Sequence, residues 1–164
     1  MTSKKESAPV WDRVLHRRIE TMSDQVEPKT QTIKIPGRDH PITIERNAHR
    51  VVVKAAGRVV ADTQEALTLR EAGYAAIQYI PRKDVDMTLL ERTDHATYCP
   101  YKGDCAYYSI PAGGERSINA AWTYETPYAT VAAIKDHIAF YPDRVDTIEE
   151  HARTNRASTK PAGP

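Results

Sequence analysis

The sequence is short of the residues that define several large protein classes. Two cysteines, Cys99 and Cys105, stand in 164 residues. That is too few for a disulfide framework, so a reducing compartment is expected. Charge of one sign is also missing, since 23 basic residues against 22 acidic ones leave a formal net charge of +1. A near-neutral chain has no field with which to gather nucleic acid or an anionic membrane surface. No apolar run approaches the roughly 20 residues of a membrane span. The start, Met1-Thr2-Ser3-Lys4-Lys5-Glu6, leads into no apolar stretch, so no secretory signal is expected. The end, Lys160-Pro161-Ala162-Gly163-Pro164, matches no retention or peroxisomal signal. These absences together predict a cytoplasmic protein with no nucleic-acid and no membrane partner.

Phenylalanine is nearly absent too, with Phe140 alone, while nine tyrosines lie between Tyr74 and Tyr141. A buried tyrosine needs a partner for its hydroxyl. The second half of the chain therefore carries either a polar-aromatic core or a polar-aromatic cavity.

Along the chain the pattern divides into three stretches. Residues 1–39 are an N-terminal extension. Within it, Val10, Trp11, Val14, Leu15, Ile19 and Met22 recur at helical spacing and predict an amphipathic helix over about 9–23. Such a helix docks on its own domain or on a dimer mate, which leaves a homodimer open. Thr32-Ile33-Lys34-Ile35 reads as a first strand.

Residues 40–146 read as one mainly β domain. Ile42-Thr43-Ile44-Glu45 alternates, and Val51-Val52-Val53-Lys54 and Arg58-Val59-Val60-Ala61 flank Gly57 as a hairpin. A strand over Ala66–Glu71 is expected to pair with Ala75–Ile80, and Asp84 to cap a short helical turn through Leu90. Further strands are expected at Cys105–Ile110, at Ser117–Tyr124 and at Ile138–Tyr141. In the second of these, Ile118, Ala120, Trp122 and Tyr124 share one face. Pro127 opens a short helix through Ile134. Residues 147–164 are polar and read as a flexible tail. Many short strands in hairpin order predict an antiparallel small barrel or two-sheet sandwich.

Chemistry concentrates at a few positions. In Cys99-Pro100-Tyr101-Lys102-Gly103, proline and glycine set a turn from which Lys102 projects. A lysine held this way binds an anion as a point charge or, when desolvated, serves as a base. Glu71 ends an apolar strand, and a carboxylate in a partly apolar cavity is expected to have its pKa raised toward general acid or base use. The structural alternative is a buried ion pair with Arg82 or Lys102, or a bond to backbone. Asp62 and Asp84 sit at other strand ends. Tyr79, Tyr107, Tyr108, Trp122 and Tyr124 offer faces for a ring-containing ligand or, alternatively, ordinary core. His95, Cys99 and Cys105 lack the close cysteine spacing of zinc sites, so no metal and no cofactor are expected. The six histidines show no ligand spacing and read as surface.

The order of these motifs resembles the domain of unknown function 427 family over about 40–146. The resemblance runs from Ile42–Glu45 through Arg50–Val53, Gly57–Thr63, Tyr79-Ile80-Pro81-Arg82, Cys99–Gly103 and Ala121–Tyr124 to Ile138–Tyr141. It implies a compact, mainly β domain without an established general activity. The family also carries a nucleotidyltransferase-like label. This chain has no Gly-Ser motif with paired aspartates, which that metal-dependent transfer needs. The resemblance maps its signature onto Glu71, Tyr79, Asp84, Cys99, Lys102, Tyr107, Trp122 and Tyr124. Cys105 stands where the family pattern has alanine, which argues against a shared metal site.

The expectation is thus a small-molecule site. Lys102 and Glu71 are its catalytic candidates, and Tyr79, Arg82, Asp84, Cys99, Tyr107, Trp122 and Tyr124 its binding residues. Any reaction would be cofactor-independent acid/base chemistry of the isomerase, cyclase or lyase type. The alternative is a non-catalytic binding or interaction module in which the same residues are structural.

Overall fold

A computed structural model of the chain describes residues 31–153. The chain divides into two units, Met1–Thr32 and Ile33–Pro164, and every strand of the described residues belongs to the second. The expected helix at 9–23 and the tail beyond residue 153 lie outside the described residues.

Among the described residues ten strands follow one another as β1 (Ile42–Arg46), β2 (Arg50–Ala55), β3 (Arg58–Thr63), β4 (Leu67–Glu71), β5 (Ile77–Pro81), β6 (Glu91–Cys99), β7 (Gly103–Ser109), β8 (Ala121–Thr123), β9 (His137–Phe140) and β10 (Thr147–His151). Short 3-10 turns link them, among them Arg82–Asp84, Met87–Leu89, Pro111–Ser117 and Ala129–Ile134. Seven strands form one sheet in the order β1-β4-β5-β9-β8-β7-β6, and β10-β2-β3 form a second. All pairings are antiparallel. The molecule is therefore mainly β and antiparallel. The large sheet does not close into a barrel, because its edge strands β1 and β6 do not pair with each other.

Both faces of the large sheet are buried, and the strand period of two decides which residue goes where. Ile80, Tyr108, Ala121, Ile138 and Phe140 point to one side, where Val51, Val53, Ala55, Val60 and Ala61 of the small sheet complete a core. Their chain neighbours Tyr79, Tyr107, Trp122 and Ala139 point to the other side, where Leu69, Cys105, Tyr124, Val131 and Ile134 join them. One sheet thus carries an aliphatic core on one face and an aromatic cluster on the other.

The large sheet is curled around its aromatic face. β4 and β7 are separated by β5, β9 and β8, about 19 Å along a flat sheet at the usual strand spacing. Yet Lys102, between β6 and β7, reaches the carboxylate of Glu71 at the end of β4. Only a curled sheet permits that contact, and its concave side is the aromatic one.

The hairpin of β2 and β3 forms as expected; its turn residues Ala56 and Gly57 have φ of 49° and 70°. The β4–β5 pairing also forms. Four expectations are corrected. Residues 32–35 form no strand; Lys34 donates its backbone N–H to Pro100 O at 2.9 Å. The strand expected over 117–124 is only β8, because Asn119 adopts φ 51° and breaks the alternation, leaving Ile118 53% exposed. Asp86, not Asp84, caps the turn at Met87–Leu89. Residues 147–151 are not a loose tail but β10, paired with β2.

Candidate functional site

Lys102 is delivered by a tight hairpin. Cys99 and Gly103 face each other at the ends of β6 and β7, and Lys102 N–H donates to Cys99 O at 3.2 Å. Gly103 sits at φ 105°, a conformation that a side chain opposes. A Cβ there would also lie 3.4 Å from Thr126 O. Tyr128 N–H bonds Lys102 O at 3.0 Å and pins the turn from below.

Glu71 is the last residue of β4, beyond which Ala72 turns at φ 43°. Its two oxygens are both engaged. Oε2 accepts from the Lys102 ammonium, and Oε1 lies 2.7 Å from His40 Nε2. The pair is largely enclosed, with side chains 8% and 16% exposed for Lys102 and Glu71. Burial works to raise the Glu71 carboxyl, but the hydrogen bonds from Lys102 and His40 outweigh it and hold it below its usual range. This corrects the expectation of a raised carboxylate. Glu71 is an ionised acceptor with two donors on it, and not a proton donor.

His40 in turn stacks on Tyr101 with ring centroids 4.0 Å apart and planes within 5°. It is a neighbour of the site, although the absence of ligand spacing predicts a surface histidine. The signal for it is the register of β1 on β4, which sets Ile42 opposite Glu71 and so brings His40 to the same strand end.

Beside this chain of charges lies a cavity of about 380 Å³. Glu71, Lys102, Tyr79, Tyr107, Trp122 and Tyr124 line it, and Tyr74, Tyr141 and Cys105 stand among its other lining residues. Six of the nine expected site residues thus converge on one space. Trp122 donates its indole N–H to Tyr79 Oη at 3.3 Å, with the two rings edge to face. Tyr141 packs on Trp122 at 4.4 Å between centroids. Tyr107 Oη and Thr97 Oγ1 share a hydrogen bond of 2.8 Å. Lys102 Nζ stands 6.0 Å from the Tyr124 ring centre, within reach of a cation–π attraction. Burial pushes the hydroxyls of Tyr79, Tyr107 and Tyr124 upward, so all three are neutral phenols near neutral pH. Burial pushes the Cys105 thiol up as well.

The other expected residues stand elsewhere. Cys99 packs against the aromatic cluster without lining the cavity. Arg82 donates to Tyr108 Oη at 3.0 Å on the opposite face of the sheet. Asp84 accepts from Thr63 Oγ1 at 2.6 Å and borders an open polar cleft with Asp62, Arg46 and Arg50. Arg50 and Asp62 are paired with each other in that cleft. Among the described residues no three histidine, cysteine or acidic side chains are grouped to hold a metal ion, and no helix is long and apolar enough to cross a membrane.

An antiparallel two-sheet domain with an aromatic cavity closed by a Lys–Glu pair is the class that fold and site define. The chain belongs to the family described as Domain of unknown function (DUF427), whose model matches residues 43–151. No curated protein matches it.

Proposed function

We propose that this domain binds a small molecule in the cavity on the concave face of its large sheet, with Lys102 as the charged anchor. The observation that carries this reading is the convergence of Lys102 and Glu71 with Tyr79, Tyr107, Trp122 and Tyr124 on one space of about 380 Å³. That volume lies in the range of small-molecule sites, and apolar walls with a few polar groups are their usual chemistry. Glu71, held ionised by two donors, orients Lys102. Acid/base turnover of the isomerase or lyase type would therefore draw its proton donor from Lys102 or a tyrosine, not from Glu71.

The test is a screen of small aromatic compounds read at the indole N–H resonance of Trp122, assigned by its loss in Trp122→Phe. Members of the set should move that signal, and Ala75→Trp, which fills the mouth, should abolish the response. A signal that no member moves at millimolar concentration overturns the reading.

A second reading rests on the same ion pair. Glu71 and Lys102 clamp the end of β4 to the β6–β7 turn, which is a structural task in itself. Under that reading Lys102→Met lowers the melting temperature while the Trp122 signal stays silent to every compound.

A further inference from the structure

Resting on that reading of the cavity, we propose that its ligand is a neutral, planar molecule with a carbonyl-type oxygen, received by the Lys102 ammonium and the Tyr79 hydroxyl. Three observations carry this, of charge, of hydrogen-bond polarity and of shape.

The charge of the site is already balanced. Lys102 and Glu71 form a mostly enclosed pair, and His40 occupies the second oxygen of the carboxylate. A ligand carboxylate would set a second negative charge beside Glu71. A ligand ammonium would face Lys102. Either one would be desolvated without an unspent counter-charge, which is costly in an enclosed site. A neutral ligand avoids both penalties.

The hydrogen-bonding capacity that remains is donor capacity. A lysine ammonium carries three N–H bonds, and Glu71 takes one of them. Tyr79 is 1% exposed and lines the cavity. Its hydroxyl oxygen accepts from Trp122, and among the described residues no acceptor receives its own proton. A buried donor without an acceptor is uncommon and costs free energy. An oxygen of the ligand supplies the acceptor that Tyr79 lacks. The phenol stays neutral and keeps that proton, because burial raises it.

The shape follows from the walls. Trp122, Tyr107, Tyr124 and Tyr141 are among the lining residues, alongside aliphatic Leu69 and Ile77. Aromatic walls favour a flat partner stacked face to face or edge to face.

Four ring-matched probes test the class: benzamide as the neutral carbonyl, benzoate as the anion, benzylammonium as the cation and toluene as the ring without an acceptor. Each is titrated at neutral pH against the full chain and against Tyr79→Phe, with the Trp122 indole signal as readout. The ring of Tyr79 is kept in that variant, and its two-dimensional spectrum checks the fold. Benzamide should bind most tightly. Tyr79→Phe should weaken it about fivefold, the size of one lost hydrogen bond, and leave toluene unchanged. Tighter binding of benzoate or benzylammonium overturns the neutral class. Equal binding of toluene and benzamide, or a benzamide affinity that Tyr79→Phe does not change, overturns the acceptor assignment while the cavity remains a ligand site. Silence from all four probes, toluene included, overturns the ligand-site reading and this inference with it.

Discussion

Lys102 meets the carboxylate of Glu71 across 31 positions of sequence, from the far end of a curled sheet. Two donors converge on that carboxylate, while Lys102 has it as its one acidic partner among the described residues. The pair is a structural tie first, and the cavity beside it inherits a fixed ammonium.

Removing one member of such a pair leaves the other charged and enclosed. Lys102→Met is expected to lower unfolding free energy by about 3 kcal/mol. The double variant Lys102→Met with Glu71→Gln should recover part of that loss, since no orphan charge remains. Urea denaturation of the three proteins measures both steps.

The pH dependence follows from the depressed carboxyl of Glu71. Its folded pKa lies below the ordinary 4.5. The stability it contributes is complete above the unfolded value and is lost as pH falls through the lower folded value. Glu71→Gln should therefore flatten the acid limb of the stability profile below about pH 4.5. Melting temperatures across pH 3 to 8 decide this, and an unchanged acid limb would contradict it.

Gly103 holds φ 105° directly after Lys102. Gly103→Ala adds left-handed strain and pushes a methyl to 3.4 Å from Thr126 O. A loss of about 1–2 kcal/mol is expected from the conformation alone. Because the turn aims Lys102, the variant should also shift the Trp122 signal, which Gly57→Ala, at a positive-φ turn of the small sheet, should leave in place.

The two thiols should separate in reactivity. Cys105 is buried and its thiol is pushed up by that burial. Thiolate is the reactive form, so a disulfide reagent at pH 8 should leave Cys105 unmodified in the native protein and label it in urea. Mass spectrometry of the digested product reads each cysteine in turn.

Sequence pattern reached the residues that line the cavity better than it reached the strands around them. The Cys99–Gly103 turn, Lys102, Glu71 and the tyrosines were legible because proline, glycine and apolar alternation are local signals. β6 was not, since Glu91-Arg92-Thr93-Asp94-His95 is polar on both faces. It is an edge strand, bulged between Arg92 and Ala96, and needs no buried alternate residues. β10 has one apolar residue packed on the core, Ile148, and gave no period of two. His40 depends on the register of β1 against β4, and the lowering of the Glu71 carboxyl depends on Lys102 and His40 together. Each is set by a partner distant in the chain, where no local pattern speaks.

The pairing of β10 with β2 also bears on how the chain emerges from a ribosome. Lys54 and Glu149 meet across this pairing from positions 95 residues apart. At ordinary synthesis rates that separation takes roughly 5–20 seconds. Through that interval Val51-Val52-Val53 is paired on one side by β3 and has no strand on the other. A nascent chain of this protein therefore displays a valine-rich strand edge until β10 clears the exit tunnel, and that interval is when a chaperone has most to protect.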